Sequence, residues 1–306
     1  MMIDVAIVTE SCNSSRFQDI PDDDFARIQT RYEESLLIHC LRNVGLTAIR
    51  VAWDIPFEWE TVRCAIIRST WNYIDNLESF ENWIRTAEKK TILINSADLC
   101  LWNIDKNYLF ELQEKKIPIV ETIKLNNSDL KNADNIFNKL QTQTIVIKPA
   151  VSATAKNTFK IKRDEIDEYK SVLTDLISQK ELLAQPFMET YTTKGEMSFM
   201  VIDGKLTHSV LKVAKKGEFK IQDDYGGYVF PYTASDQERH FAENVVEKCR
   251  TKPAYARVDA IYDSQNQLFL TEIELLEPEL FFRFDRRCAD NLATVIRNIL
   301  NRTNKV

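Results

Sequence analysis

Hydrophobic and polar positions along the 306-residue chain follow two periods, and the switches between them mark its elements. The run IDVAIV near the N-terminus reads as a strand, as do LTAIRVAW, CAIIRS and ILIN (92–95). Between the first two, residues 22–43 place Phe25, Ile28, Tyr32, Leu36 and Cys40 at the spacing of one helix face, and Gly45 closes that helix as a C-terminal cap. Residues 76–88 read as another helix. Strands alternating with helices build a parallel α/β sheet.

Beyond Ser96 the pattern changes. Residues 96–116 read as one helix, ended by Pro118, and Ile145–Lys148 as a short strand stopped by Pro149. A small-residue loop, AVSATAKNT, leads to the strand FKIK, and residues 164–180 form a helix with Ile166, Tyr169, Val172, Leu173 and Leu176 inward. After LLAQPF comes an antiparallel series. MSFMVIDGKLTHSVLKVA is two strands about Asp203–Gly204, a strong hairpin signal. A helix over 235–250, a second hairpin within ARVDAIYDSQNQLFLTEIELLEPELFF (256–282) and a terminal helix from Ala289 complete the chain. The fold class expected is α/β, with an α+β C-terminal lobe.

The second hairpin raises a question of chemistry. Period-two alternation puts Arg257, Asp259 and Ile261 on one face of its first strand, and Leu268, Leu270, Glu272, Glu274 and Leu276 on one face of its second. With Ser264–Gln267 as a four-residue loop, Asp259 stands opposite Glu272 and Arg257 opposite Glu274. Like charges directly opposite one another destabilise a sheet, and a dry site raises carboxylate pKa values. A hard divalent cation resolves the conflict, because Mg²⁺ binds through a few carboxylates together with substrate phosphates. A solvated acidic face is the plain alternative, and the leucines sharing that face speak against it.

Such a site also needs cations. Lys148 ends an apolar strand in TIVIKPA, where burial explains a lone lysine poorly. Lys106, in NIDKNY, falls in a helical pattern where a surface lysine is the ordinary reading. Lys212 and Lys220 flank KVAKKGEFKIQDDYGGY, a charge run that ordinarily means a solvated segment.

Composition narrows the classes. The chain is 44% hydrophobic and 28% charged, long enough for two or three lobes with a sizeable core. A net charge of −6 argues against nucleic acid or an anionic membrane as partner. The six cysteines are scattered with no CxxC pair, which gives neither a zinc site nor a disulfide framework. No basic leader precedes IDVAIV, and no run approaches the roughly 18–20 apolar residues of a membrane helix. A soluble, cytoplasmic protein is expected. With only three histidines, and His39 inside a helix pattern, the chemical tools are carboxylates, lysines and arginines.

In chain order the sequence offers DK (Asp105, Lys106), VIKPA (146–150), a small-residue loop, LAQPF (183–187), GE (Gly195, Glu196), a basic loop, ARVD (256–259) and TEIELLEP (271–278). This series, over about residues 64–282, resembles the ATP-grasp superfamily of ligases, of the glutathione synthetase and D-alanine–D-alanine ligase type. RSTWNY, KPAVSA, YGG and ELLEP resemble a bacterial group of it that includes the O-ureido-serine cyclo-ligase of D-cycloserine biosynthesis.

The resemblance implies an ATP-grasp fold in three parts: an N-terminal Rossmann-like pre-ATP-grasp domain over 1–96, a central subdomain over 97–186 and a C-terminal subdomain with the metal site over 187–306. It implies ATP phosphates on Lys106 and Lys148, with Ser152 in the phosphate loop, and adenine against Gln185, Phe187 and Met188, with Glu196 on the ribose. Asp259, Glu272 and Glu274 would bind Mg²⁺, or Mn²⁺ in its place. Arg257 would steady an acyl phosphate, and Lys212 and Lys220 would face the γ-phosphate or substrate. Gly226 and Gly227 belong to a mobile lid or to an ordinary turn. Arg68, at the carboxyl edge of the N-terminal sheet, would meet a substrate carboxylate or form a structural ion pair. Trp71 and Tyr73 are read as packing residues that could also shape that pocket.

The implied activity is ADP-forming ligation of a small carboxylate to an amine through an acyl phosphate, and a homodimer is compatible with it. An intramolecular cyclo-ligase, a kinase and a non-catalytic nucleotide-binding protein stay open as alternatives. Three departures from the family pattern stand out: residues 151–158 contain no glycine, Glu274 stands where many ligases have asparagine, and ELLEPEL replaces an NxxPG ending.

Overall fold

The computed structural model describes residues 2–11, 25–152, 156–215 and 227–303. Lys220 and Gly226 lie outside them. The elements run β1 (Ile3–Thr9), α1 (Phe25–Asn43), β2 (Ala48–Ala52), β3 (Val62–Ser69), α2 (Leu77–Ala87), β4 (Ile92–Ile94), α3 (Ala97–Ile104), α4 (Tyr108–Glu114) and β5 (Ile123–Leu125). The middle of the chain gives α5 (Asn127–Lys131), α6 (Asp134–Lys139), β6 (Thr144–Pro149), β7 (Phe159–Lys162), α7 (Ile166–Ile177), β8 (Leu182–Pro186) and α8 (Thr190–Thr193). The remainder is β9 (Glu196–Ile202), β10 (Lys205–Val213), β11 (Tyr228–Tyr232), α9 (Asp236–Glu247), β12 (Tyr255–Tyr262), β13 (Leu268–Glu274) and α10 (Arg287–Thr303).

Three sheets result. The N-terminal one is parallel, in the order β2-β1-β3-β4, as the strand–helix alternation predicts. A central antiparallel sheet runs β5-β8-β6-β7, and a large antiparallel sheet runs β11-β10-β9-β12-β13. Asp203 and Gly204 turn the β9–β10 hairpin with φ of 50° and 79°. Both central residues are thus left-handed, as a tight two-residue hairpin needs.

Several elements differ from expectation. The helix predicted over 96–116 is two, because Asp105 is extended and its carboxylate caps the Asn107 N–H at 2.9 Å. Helix α1 buries Leu36 and Cys40 of the predicted stripe, adds Glu33, Leu37 and Leu41 beside them, and leaves Ile28 and Tyr32 exposed. In α7, Leu173 is buried and Val172 faces outward. Short β5 and edge strand β11 escape the pattern altogether, since neither has a run long enough to show a period.

Packing does not follow the three chain segments cleanly. Helices α3 and α4 place Leu99, Trp102, Tyr108 and Leu109 against Met197, Phe199 and Val258, so residues 97–120 cover the large sheet and not the central one. Ile119 even bridges to Leu270. At the other end Leu292, Ile296 and Leu300 of α10 share a core with Leu37 and Leu41 of α1. The N-terminal sheet and the last helix therefore form one body.

Buried polar groups fix that body to the segment after β13. Glu33 accepts Arg68 Nη2 at 3.0 Å and the N–H groups of Leu280 and Phe282 at 3.1 and 2.9 Å. Arg68 Nη2 also reaches the Pro278 carbonyl at 2.8 Å. Asn95 accepts Ala254 N–H at 2.6 Å and donates to the carbonyls of Tyr255 and Leu275, both at 2.9 Å. Glu33→Ala strands a buried guanidinium and two N–H groups. Denaturant unfolding is expected to show a loss of about 3–5 kcal/mol, and a loss below 1 kcal/mol would mean that Glu33 is not the tie between these parts.

Candidate active site

A cleft of about 320 Å³ opens between the central sheet and the large sheet, with Trp71 and Tyr73 at its N-terminal-lobe side. The large sheet supplies its floor. On β9, Met197, Phe199 and Val201 enter the hydrophobic core while Glu196 and Ser198 face the other way. On β12 the alternation puts Arg257, Asp259 and Ile261 on that same cleft face.

Strand β13 reaches the cleft by a bulge. Leu270 pairs with Ala260, yet Glu272 pairs with Asp259, so one extra residue lies between them. The bulge flips the face. Leu268 and Leu270 point into the core with Ile273, whereas Glu272 and Glu274 point into the cleft. The expected single face of leucines and glutamates is thus two faces. The pairings Asp259–Glu272 and Arg257–Glu274 nevertheless hold, because a hairpin loop one residue longer than expected offsets the bulge. The extra residue, Thr271, donates to Glu196 at 2.6 Å.

The charges form a connected array. Asp259 accepts from Ser198 Oγ at 2.5 Å, from Lys212 Nζ at 3.1 Å and from Arg257 Nη2 at 3.0 Å. Burial alone would raise its pKa, but Arg257 and Lys212 outweigh burial and hold it at about 2. Lys212 Nζ also lies 2.6 Å from Glu196 Oε2, so Glu196, read as a ribose contact, already has a lysine and Thr271 as partners. Arg257 reaches Glu274 as well, and stacks over the Phe281 ring at 5.9 Å.

Glu272 faces the opposite wall. Lys106 Nζ lies 3.2 Å from its Oε1 and donates to the Ser152 carbonyl at 2.7 Å. The break between α3 and α4 aims Lys106 this way, since its own N–H is tied to Ala150 O at 2.9 Å. Lys148 stands on the cleft face of β6, opposite Ile145 and Ile147 in the core. Burial lowers its pKa, with Glu272 opposing. Burial works against ionisation of Glu272, yet Lys106 and Lys148 keep its pKa below the usual value. Glu274 is pushed up to about 7 and Glu277 to about 8, first by burial and then by neighbouring carboxylates that their cations do not cancel.

The other end of the cleft is apolar. Val120, Val146, Phe187, Met188 and Ile273 line it, and Gln185 is held by Nε2 to Thr122 Oγ1 at 2.8 Å. Lys160 Nζ sits 3.6 Å over the Phe187 ring. The Phe187 N–H is spent on Thr144 O at 2.9 Å. Ser152 lines the cleft beside Lys106, its hydroxyl turned to Pro149 O at 3.2 Å.

Two expected residues are elsewhere. Arg68 is buried against Glu33, which is the structural ion pair its position also allowed, and Gly227 is not among the residues lining the cleft. Thr122, Ser198, Thr271 and Glu277 were not singled out in the sequence. The first three are neutral and signal nothing by type, and Glu277 was hidden in an unfamiliar ending.

A divalent ion fits this donor set. Carboxylates crowd one wall, and Glu274, held above its ordinary pKa, would be relieved by an added cation. Among the described residues no group of three His, Cys, Asp or Glu side chains is gathered closely enough to hold an ion alone. Asp259 in particular already has three protein partners, Ser198, Lys212 and Arg257. Oxygen ligands from a phosphate would complete such a site.

Comparison with known proteins identifies the family and the fold. The model for the ATP-grasp domain of prokaryotic glutathione synthetase matches residues 117–286, more than half of the chain. The chain belongs to the ATP-grasp family. The model for the N-terminal domain of the D-cycloserine synthetase DcsG matches residues 5–95. The cycloserine biosynthesis protein DcsG of Streptomyces lavendulae is 24% identical over 196 residues, which span 62% of this chain and 66% of that protein.

In fold, the crystal structure of D-cycloserine synthetase DcsG superposes with a TM-score of 0.84 at 20% identity, covering 97% of this chain and 99% of the other. D-alanine–D-alanine ligase from Bacillus anthracis gives 0.68 at 13% identity over 99% of both chains. The ATP-grasp ligase PsnB, in complex with a minimal precursor, Mg and ADP, gives 0.62 at 12% identity over 97% and 98%. An ATP-grasp cleft lies between the two antiparallel sheets here, and no helix among the described residues is long and apolar enough to cross a membrane.

Lys148 has no hydrogen-bond or ion-pair partner among the described residues, so its charge is the one most available to phosphate. Lys148→Met is expected to weaken nucleotide binding by about ten- to a hundredfold with the melting temperature unchanged. Unaltered affinity in a calorimetric titration would remove that lysine from the site.

Proposed function

We propose that the chain is an ATP- and Mg²⁺-dependent, ADP-forming ligase that joins a small carboxylate to an amine through an acyl phosphate. The observation that carries it is one cleft in which Lys106 and Lys148 face Glu272, with Asp259, Glu274 and Arg257 beside them and an apolar slot at the far end. The slot suits an adenine ring, and Lys160 over Phe187 offers a donor at its mouth. Lys106 and Lys148 then meet phosphate oxygens.

Glu272 and Glu274, with Asp259, would hold Mg²⁺. The ion supplies neutralisation of phosphate charge, and Mn²⁺ suits the same oxygen ligands. Arg257 is tied down by Asp259 and Glu274, so its position is set before substrate arrives. A fixed guanidinium beside the reacting carboxyl stabilises charge that develops during phosphoryl transfer, with no reorganisation needed at that moment. Lys212 is within reach of the same region, and phosphate would compete with Glu196 and Asp259 for it. No histidine has a place in this scheme.

One observation favours a second reading, an intramolecular reaction in which one molecule carries both carboxyl and nitrogen. The N-terminal lobe, whose Trp71 and Tyr73 border the cleft, matches the DcsG N-terminal model. Activity with a single organic substrate would select this reading over two-substrate ligation.

Release of ADP from Mg-ATP is expected with an amino-acid-like substrate and is expected to fall by about 10²–10³ in Glu272→Gln with circular dichroism unchanged. Turnover at the parent rate in that variant would refute the assignment of the acidic wall. A stable phosphorylated product, with no hydroxamate on adding hydroxylamine, would mark a kinase instead.

A further inference from the structure

The carboxylates of the cleft are not equally compensated. Asp259 has Arg257 and Lys212, Glu196 has Lys212, Glu272 has Lys106, and Glu274 has Arg257. Glu277 lines the same cleft and has no salt bridge among the described residues. The charges that act on it most include the acids Glu274 and Glu272, and Lys106, the cation named with them, is already bound to Glu272 and to the Ser152 carbonyl. Tyr73 lines the same cleft, close enough that, after burial, the Glu277 charge helps to raise the pKa of its hydroxyl. Trp71 stands on the same wall, two residues away in the 3₁₀ turn Trp71–Asp75.

Tyr73 is itself fixed, stacked on Phe80 at 5.0 Å. A half-buried carboxylate without a paired cation, in a cleft that Trp71 and Tyr73 also line, is the chemistry that receives an ammonium group: charge from the acid, and an apolar aromatic wall around it. A metal ligand in this position would gain nothing from the aromatic wall.

We propose that Glu277, with Tyr73 and Trp71, binds the protonated amino group of the substrate and selects molecules that carry a primary amine. The proposal deepens the ligase reading and rests on it for the identity of the cleft. Glu277 sits three residues beyond Glu274, so an amine held there lies on the side of the metal carboxylates away from the adenine slot. That is the side from which a substrate carboxyl, or a nitrogen nucleophile, has to approach the phosphate end.

The test is calorimetric, on the full chain with Mg²⁺ and the non-hydrolysable analogue AMPPNP, using both enantiomers of alanine and serine and their N-acetyl forms. The free amines are expected to bind at least about tenfold more tightly than the acetylated forms, a charged hydrogen bond's worth. Glu277→Gln is expected to erase that preference while leaving Mg-AMPPNP affinity unchanged, and Glu277→Asp to restore part of it. A preference for amines that survives in Glu277→Gln would overturn the proposal, as would weaker Mg-nucleotide binding in that variant, which would make Glu277 a metal ligand. Failure of any free amine to bind the parent protein would overturn it too. Amine binding that depends on Glu277, with no ADP released from ATP, would leave the subsite standing and remove the ligase reading instead.

Discussion

Everything in the cleft depends on compensating carboxylate charge inside protein. Asp259, Glu272 and Glu274 come from two adjacent strands, where their mutual repulsion would oppose the pairing that brings them together. The fold meets this by threading cations between them. Arg257 bridges Asp259 to Glu274, Lys212 bridges Asp259 to Glu196, and Lys106 approaches Glu272 from the helix break on the other wall. Pairing is complete at Asp259 and incomplete at Glu274 and Glu277, whose carboxyls are held well above their usual range. The gradient runs from a closed inner cluster to an acid-rich outer rim, and the rim is where a divalent ion and substrate groups have something to gain.

The scaffold that imposes this is built from ordinary devices. A bulge at Thr271 turns two glutamates out of a strand whose first leucines are core. A break between two helices aims a lysine across the cleft. Asn103 then clamps the end of β13, donating to Ile273 O at 2.7 Å and accepting Leu275 N–H at 2.6 Å. Tyr255 places its hydroxyl 2.9 and 2.8 Å from the carbonyls of Ile67 and Leu276, so the N-terminal sheet and the segment after β13 are registered to the same side chain. The end of the cleft that Glu277 lines is thereby tied to the lobe that supplies Trp71 and Tyr73.

Much of this was legible in the sequence, for a physical reason: strands and hairpins announce themselves by period and by turn residues. The parallel sheet, the Asp203–Gly204 hairpin and the pairing of Asp259 with Glu272 could all be read that way. What could not be read was anything set by a single residue's departure from the period. The bulge moved Leu268 and Leu270 to the core although strict alternation kept them with the glutamates, and the extended Asp105 split a helix whose apolar pattern runs straight through. Arg68 illustrates a different limit. Its place at a sheet's carboxyl edge is correct, but its partner Glu33 lies 35 residues away in sequence, and no local pattern distinguishes a buried structural pair from a substrate contact. Glu277 was overlooked because its role depends on which neighbouring acids lack cations, a property of the assembled array.

The central claim is that the outer acids and the lysines form one site only when nucleotide and a divalent ion arrive together. Binding of Mn²⁺, followed by electron paramagnetic resonance with and without ADP, tests this directly. The account predicts weak Mn²⁺ binding to the protein alone and binding tighter by at least about tenfold once ADP is present, with the reciprocal gain for ADP when Mn²⁺ is added. Equal Mn²⁺ affinity with and without ADP would contradict it, because the acidic wall would then be either a self-sufficient metal site or no metal site.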